Sequence, residues 1–146
     1  MDKIIVAVDL SDVATVALDH TVSFAKAFKS HVRILHVEVP VPTYIGNEIV
    51  QPVIPTDNEE EMERISKDLS AMVDHLKQRG VEADYELIKG PIVESIIEKA
   101  ASYNADMIIL GIHGKSGLNA FWSCSVAPKI LSRTKIPVLL YPVRRN

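Results

Sequence analysis

Glycines and a lysine gather in one short stretch, Gly111-Ile112-His113-Gly114-Lys115-Ser116-Gly117, and together they suit an anion. Glycine lets backbone N–H groups come close to a ligand, and Lys115 adds a mobile positive charge. Helical spacing resumes shortly afterwards, so the free amides of a helix start would complete a phosphate cradle. The same glycines serve equally to turn a chain, and the residues alone leave both roles open. Gly114-Lys115-Ser116 is not part of a P-loop, because that motif needs a glycine where Ile109 stands inside an apolar run. Nor does a Gly-x-Gly-x-x-Gly fingerprint follow the first apolar run, since Asp9-Leu10-Ser11-Asp12 occupies that place. These departures disfavour a dinucleotide dehydrogenase.

The remaining reactive side chains are scattered. Asp9 ends one apolar run just before helical spacing begins, where capping a helix and touching a ligand are compatible tasks. One carboxylate beside bound phosphates suffices for a magnesium ion, which would permit slow hydrolysis without a dedicated hydrolase. Cys124 stands near a helix start, where a thiol gains reactivity; the alternative role is a small buried side chain. Ser125 has no histidine partner that spacing alone supplies, so the sequence assigns no catalytic residue. His20, His31, His36 and His75 lack metal-ligand spacing, so no metal site is assigned. His113 faces either a ligand or solvent, and Phe121 with Trp122 reads as packing, a lid or a dimer contact.

The elements that must position these residues alternate in type. Five short apolar runs read as strands: Ile4 to Val8, Val32 to Val39, Ala83 to Ile88, Met107 to Leu110 and Pro137 to Tyr141. Most are nearly continuous in apolar character, as strands covered on both faces must be. Ala83 to Ile88 alternates polar and apolar residues and so belongs near a sheet edge. Helical spacing fills the intervals. Val13 to Phe28 forms one segment, and Asn58 to Arg79 a second, with an acidic opening and Gly80 as its stop. The third opens at Gly90-Pro91 with proline at the first helical position, and the fourth begins near Ser123 to Ser125 with Pro128 in its first turn. Strands that alternate with helices predict a parallel sheet with helices on both faces. A proline-rich loop from Val39 to Asp57 interrupts the alternation, either covering a cleft or partner or packing on itself.

Composition bounds the function. The 146 residues predict one domain, 1–146, and 47% hydrophobic with 24% charged residues excludes disorder. Nineteen acidic against sixteen basic residues give a formal charge of -3, so no basic face for nucleic acid is expected. A single cysteine excludes an internal disulfide. Asp9 interrupts the opening apolar run too early for a signal peptide, and no apolar stretch approaches the ~20 residues that span a bilayer. The expectation is a soluble cytoplasmic protein that engages neither membrane nor nucleic acid.

Several pieces in order carry a family resemblance. They are Ala7-Val8-Asp9, Leu35-His36-Val37, Gly90, Gly111-x-x-Gly114, Ser125-Val126-Ala127 and the closing Ile136-Pro137-Val138-Leu139-Leu140. Over essentially its whole length the chain resembles the universal stress protein family. The resemblance implies a Rossmann-like three-layer α/β fold with a five-stranded parallel sheet of order 3-2-1-4-5. It also implies a homodimer through the last strand, a role in stress response and, in many members, bound ATP. The nucleotide-binding members carry Gly, two residues, Gly, nine residues, Gly, then Ser or Thr. Here Gly111, Gly114 and Ser125 match, while Cys124 takes the third glycine position. By the same resemblance Asp9 and Val37 hold the adenine and ribose end, and backbone near Leu110 and Val126 completes the site. A positive φ at Cys124 would cost ~1–2 kcal/mol, and its sulfur would project where a phosphate approaches. Weakening by tenfold or more follows, since ~1.4 kcal/mol is one decade. The expectation is a dimeric ATP-binding module, with magnesium if phosphates are held. The alternatives are a nucleotide-free interaction module and, third, a weak ATPase using Asp9.

Overall fold

The computed structural model describes residues 1–10, 12–39, 44–45, 48–49, 59–113 and 125–143. Five strands form one sheet: β1 (Lys3–Val8), β2 (His31–Glu38), β3 (Ala83–Lys89), β4 (Met107–His113) and β5 (Val138–Val143). All neighbouring pairs are parallel, and the order across the sheet is β3-β2-β1-β4-β5. The expected order 3-2-1-4-5 is therefore the observed one. Helices α1 (Asp12–Phe28), α2 (Glu59–Gln78), α3 (Ile92–Ser102) and α4 (Ala127–Arg133) supply the crossovers. A two-residue antiparallel pair, Tyr44–Ile45 with Glu48–Ile49, lies in the long connection after β2. Among the described residues no helix is long and apolar enough to cross a membrane.

The sheet separates two hydrophobic layers. On one face Ile4, Val6, Val32 and Ile34 meet Leu18 and Ala25 of α1 and Ile65, Leu69 and Leu76 of α2. On the other, Ile5, Ala7, Leu35 and Val37 meet Val93, Ile96 and Ala100 of α3 and Ala127 and Ile130 of α4. β1 is covered on both sides, which accounts for its unbroken apolar sequence. β3 lies at an edge, in keeping with its alternating pattern.

Three helices end alike. The N–H groups of Ser30, Val81 and Ala105 reach back five residues to the carbonyls of Ala25, Leu76 and Ala100 at 2.9, 3.1 and 2.9 Å. The residue before each donor turns left-handed: Lys29 at φ 54, Gly80 at φ 79 and Asn104 at φ 56. Gly80 was legible as a stop because glycine accepts that conformation without strain. Asparagine, as at Asn104, is the other type that accepts it readily, while Lys29 carries no such mark.

Two expected boundaries move. Pro91 is the N-cap of α3, with extended backbone at φ -68 and ψ 130, and the helix starts at Ile92. The ring fits before the first turn as well as within it, because neither place needs its N–H. β4 runs to His113, three residues beyond the expected end, so Gly111 pairs with Tyr141 inside the sheet and does not open a loop.

Edge strand β3 is held by charge. Arg33 on β2 donates through Nε to Asp84 Oδ1 and through Nη2 to Oδ2, both at 2.7 Å, and its guanidinium lies 4.3 Å from the centre of the Tyr103 ring. Lys99 of α3 pairs with Glu86. The Arg33 hydrogen bonds hold the Asp84 carboxyl below its ordinary value near 3.8, against the opposing effect of burial. A carboxyl depressed in the folded state adds stability that is present above its unfolded value and lost as pH falls through the folded one. Asp84→Asn should therefore lower stability at pH 7 and flatten the loss of stability below about pH 4. Chemical denaturation at pH 7 and pH 3 checks this, and equal losses at both values would exclude the linkage.

Candidate functional site

Strand order reverses at β1, whose two neighbours are reached by connections that leave in opposite directions. In an open parallel sheet such a reversal leaves a crevice at the carboxyl ends of the strands. The predicted residues that the structure describes collect there. Asp9 follows β1 and is half-buried, and Val37 lies near the end of β2. Leu110 and Gly111 fall within β4, with Leu110 opposite Ala7 of β1. Ser125 and Val126 form a wide π-type turn that leads into α4. Gly114 and Cys124 lie outside the described residues.

Side-chain and backbone roles divide clearly. Val37, Leu110 and Val126 point into the layer under α3 and α4 and are almost fully buried. Their side chains hold the strands to the helices. Asp9 and Ser125 are only partly buried, so their oxygens can take part directly. Leu10, between Asp9 and α1, has φ 60, an unusual value for a leucine. That left-handed residue lets the chain leave β1 sharply and enter α1.

His36 underpins the crevice. It is 8% exposed on β2, and its Nδ1 lies 2.9 Å from the carbonyl oxygen of Val8. A carbonyl only accepts, so Nδ1 carries the proton. The bond ties the end of β1, one residue before Asp9, to β2. The Nε2 faces Glu38 Oε2 at 3.3 Å.

A cleft of about 210 Å³ adjoins these residues, lined by Val39, Ile92, Val93, Glu94, Ser125, Val126 and Lys129. Whole-ligand pockets run from roughly 300 Å³ upwards, so a space of this size takes part of a small molecule. Ser125 and Val126 belong to both the predicted set and the cleft. Val39, Ile92, Val93, Glu94 and Lys129 were missed. Only Lys129 carried a signal, because it follows Ser125 by four residues and so lies about one helical turn further on. At the mouth Arg133 Nη1 donates to Glu94 Oε1 at 2.6 Å. That hydrogen bond, then the backbone N–H of Glu94 itself, and more weakly the charges of Arg133 and Lys129, keep the Glu94 carboxyl below the usual range. Among the described residues no group of three or more His, Cys, Asp or Glu side chains gathers as a metal site would require.

An open parallel sheet with a crevice at its reversal point defines a Rossmann-like α/β protein. The family model for the universal stress protein family matches residues 1–142. The chain belongs to that family. A universal stress protein of Methanocaldococcus jannaschii is 28% identical over 144 residues, covering 94% of this chain and 80% of the relative. Two solved structures share the fold. A universal stress protein in complex with cAMP has a TM-score of 0.71 at 21% identity, over 97% of this chain and 96% of its own. A universal stress protein of Archaeoglobus fulgidus in complex with dAMP has a TM-score of 0.69 at 22% identity, over 96% and 97%.

Gly90 follows β3 at the carboxyl end of the sheet's edge strand. Its φ is +155, and a Cβ added there would stand 3.1 Å from Ser95 Oγ. Gly90→Ala should destabilise by roughly 1–2 kcal/mol, mostly through the backbone. Adding Ser95→Ala relieves only the contact. Thermal melting of both variants checks this, and full recovery in the double variant would show that crowding alone was at work.

Proposed function

We propose that the crevice binds an adenine nucleotide, ATP in the first instance, and that the protein works as a dimeric nucleotide-binding module in the response to stress. The observation that carries the reading is the gathering of Asp9, Val37, Leu110, Gly111, Ser125 and Val126 at the ends of β1, β2 and β4 and the start of α4. Family members that hold cAMP and dAMP support the choice of an adenine ligand. In this reading the Asp9 carboxylate accepts from the amine or hydroxyl donors of the adenosine end, and main-chain groups at Val37 position it. Backbone at Leu110, Gly111 and Val126 follows the ribose and phosphates, the Ser125 hydroxyl donates to a phosphate oxygen, and Gly114 admits close approach. Magnesium would be held by the phosphate oxygens. The reading places the protein in the cytoplasm, with no role for membrane or nucleic acid and at most weak ATP hydrolysis.

Cys124, where the family pattern has glycine, favours a second reading: an interaction module that keeps the shape of a nucleotide site. Calorimetric titration with ATP, with and without magnesium, separates the two once mass spectrometry has checked for carried-over nucleotide. Micromolar binding is the expected result. No binding by the natural chain, with binding gained by Cys124→Gly, would establish the second reading, and no binding by either overturns the first.

The open edge of β5 supports the dimer. Val138 to Tyr141 are half-exposed, and His20 of α1 stacks on the Tyr141 ring with centroids 4.0 Å apart. Pro137 accepts from the Ile108 N–H at 2.9 Å, so strand alternation turns the N–H groups of Val138 and Leu140 towards the open side. Pro142 also faces that side, where its missing N–H removes no bond to β4. Two copies can pair there about a two-fold axis and cover an otherwise exposed apolar edge. Analytical ultracentrifugation at micromolar concentration should show twice the monomer mass, and Leu140→Lys should shift it to monomer. A natural chain of monomer mass alone would refute the dimer.

A further inference from the structure

The cleft beside Ser125 carries charge that the adenine-nucleotide reading leaves unused. Its lining is mostly apolar, with Val39, Ile92, Val93 and Val126 on the walls and Lys129 and Glu94 among them. Arg133 occupies the Glu94 carboxylate through its 2.6 Å hydrogen bond. Among the described residues Lys129 enters no salt bridge. Two cations and one anion leave the mouth with a net positive charge, and apolar walls lower the local dielectric through which that charge acts. Ser125 and Lys129 line the same space, so an anionic group held by the serine hydroxyl would lie on the lysine's side of the cleft.

We propose that Lys129 is a specificity-determining residue, selecting phosphorylated adenosine over adenosine, and that Arg133 keeps it available by engaging Glu94. This rests on the adenine-nucleotide reading. The arrangement has a definite electrical logic. Lys129 already acts on the Glu94 carboxyl across the cleft mouth, more weakly than Arg133 does. Without the Arg133 guanidinium, Glu94 would face Lys129 alone and cancel its charge towards a ligand. Lys129 is exposed on α4, so its removal takes no buried side chain from the core.

Titration calorimetry on the intact protein, with AMP and adenosine as probes, tests the assignment. Lys129→Ala should weaken AMP binding about three- to tenfold and leave adenosine unchanged. Lys129→Arg should retain the preference. Arg133→Ala should weaken AMP in the same direction, and adding Glu94→Gln should restore it. Raising ionic strength should erode the preference for AMP in the natural protein more than in Lys129→Ala, because salt screens the exposed ammonium. An AMP-to-adenosine ratio unchanged by Lys129→Ala overturns this inference and leaves the nucleotide reading standing. Equal losses for both probes indicate a structural role and overturn it as well. A natural protein that binds neither probe overturns this inference, and one that fails to bind ATP as well overturns the nucleotide reading itself.

Discussion

Burial of β1 on both faces is the constraint from which the other features follow. Ile4, Ile5 and Val6 have no exposed surface, so successive residues must find apolar partners on opposite sides of the sheet. Full burial of such side chains contributes roughly 1.5–3 kcal/mol each, which no arrangement with one open face would supply. α1 and α2 cover one side, α3 and α4 the other. Parallel neighbours on both flanks of β1 require crossovers, and right-handed crossovers deliver the helices to the two faces in turn. The reversal of strand order at β1 leaves main-chain groups uncovered at its carboxyl end. The crevice is thus a by-product of burying the central strand.

That origin explains which atoms the site can use. Val37, Leu110 and Val126 hold the two layers together with their side chains and present only backbone to a ligand. A site made this way tolerates changes of side chain that preserve packing, and it is sensitive to anything that moves the main chain. His36 and Gly90 act at that level. The first ties the end of β1 to β2, and the second takes a backbone conformation that a side chain would strain. The few polar side chains near the surface there are Asp9, Ser125 and the charged group of Lys129, Glu94 and Arg133.

The two edges of the sheet differ for a related reason. β3 carries Asp84 and Glu86, which pair with Arg33 and Lys99, and a charged edge resists further strand addition. β5 presents Val138, Leu139, Leu140 and Tyr141 without charge. Adding a strand to the first edge would cost desolvation of its charges, whereas the second carries no such cost over Val138–Val143.

Sequence alone determined the alternation of strands and helices, because continuous apolar runs and three- to four-residue spacing are local signals that burial imposes. It determined the parallel sheet, the edge position of Ala83 to Ile88 and the stop at Gly80. The family pieces in order, from Asp9 to Ser125, then marked the strand ends where a ligand belongs. Tertiary structure decided the rest. Gly111 became a strand residue because β5 supplies partners as far as Val143, a long-range pairing with no trace in local spacing. Pro91 became a cap, and Lys29 and Asn104 took left-handed backbone, because helix ends depend on hydrogen bonds that close only when the chain turns back. Glu94 of α3 came to line one cleft with Lys129 of α4 and to pair with Arg133 of the same helix, across two elements far apart in the chain. Charge groups of that kind depend on distances between elements, and a linear sequence records only the order of the elements.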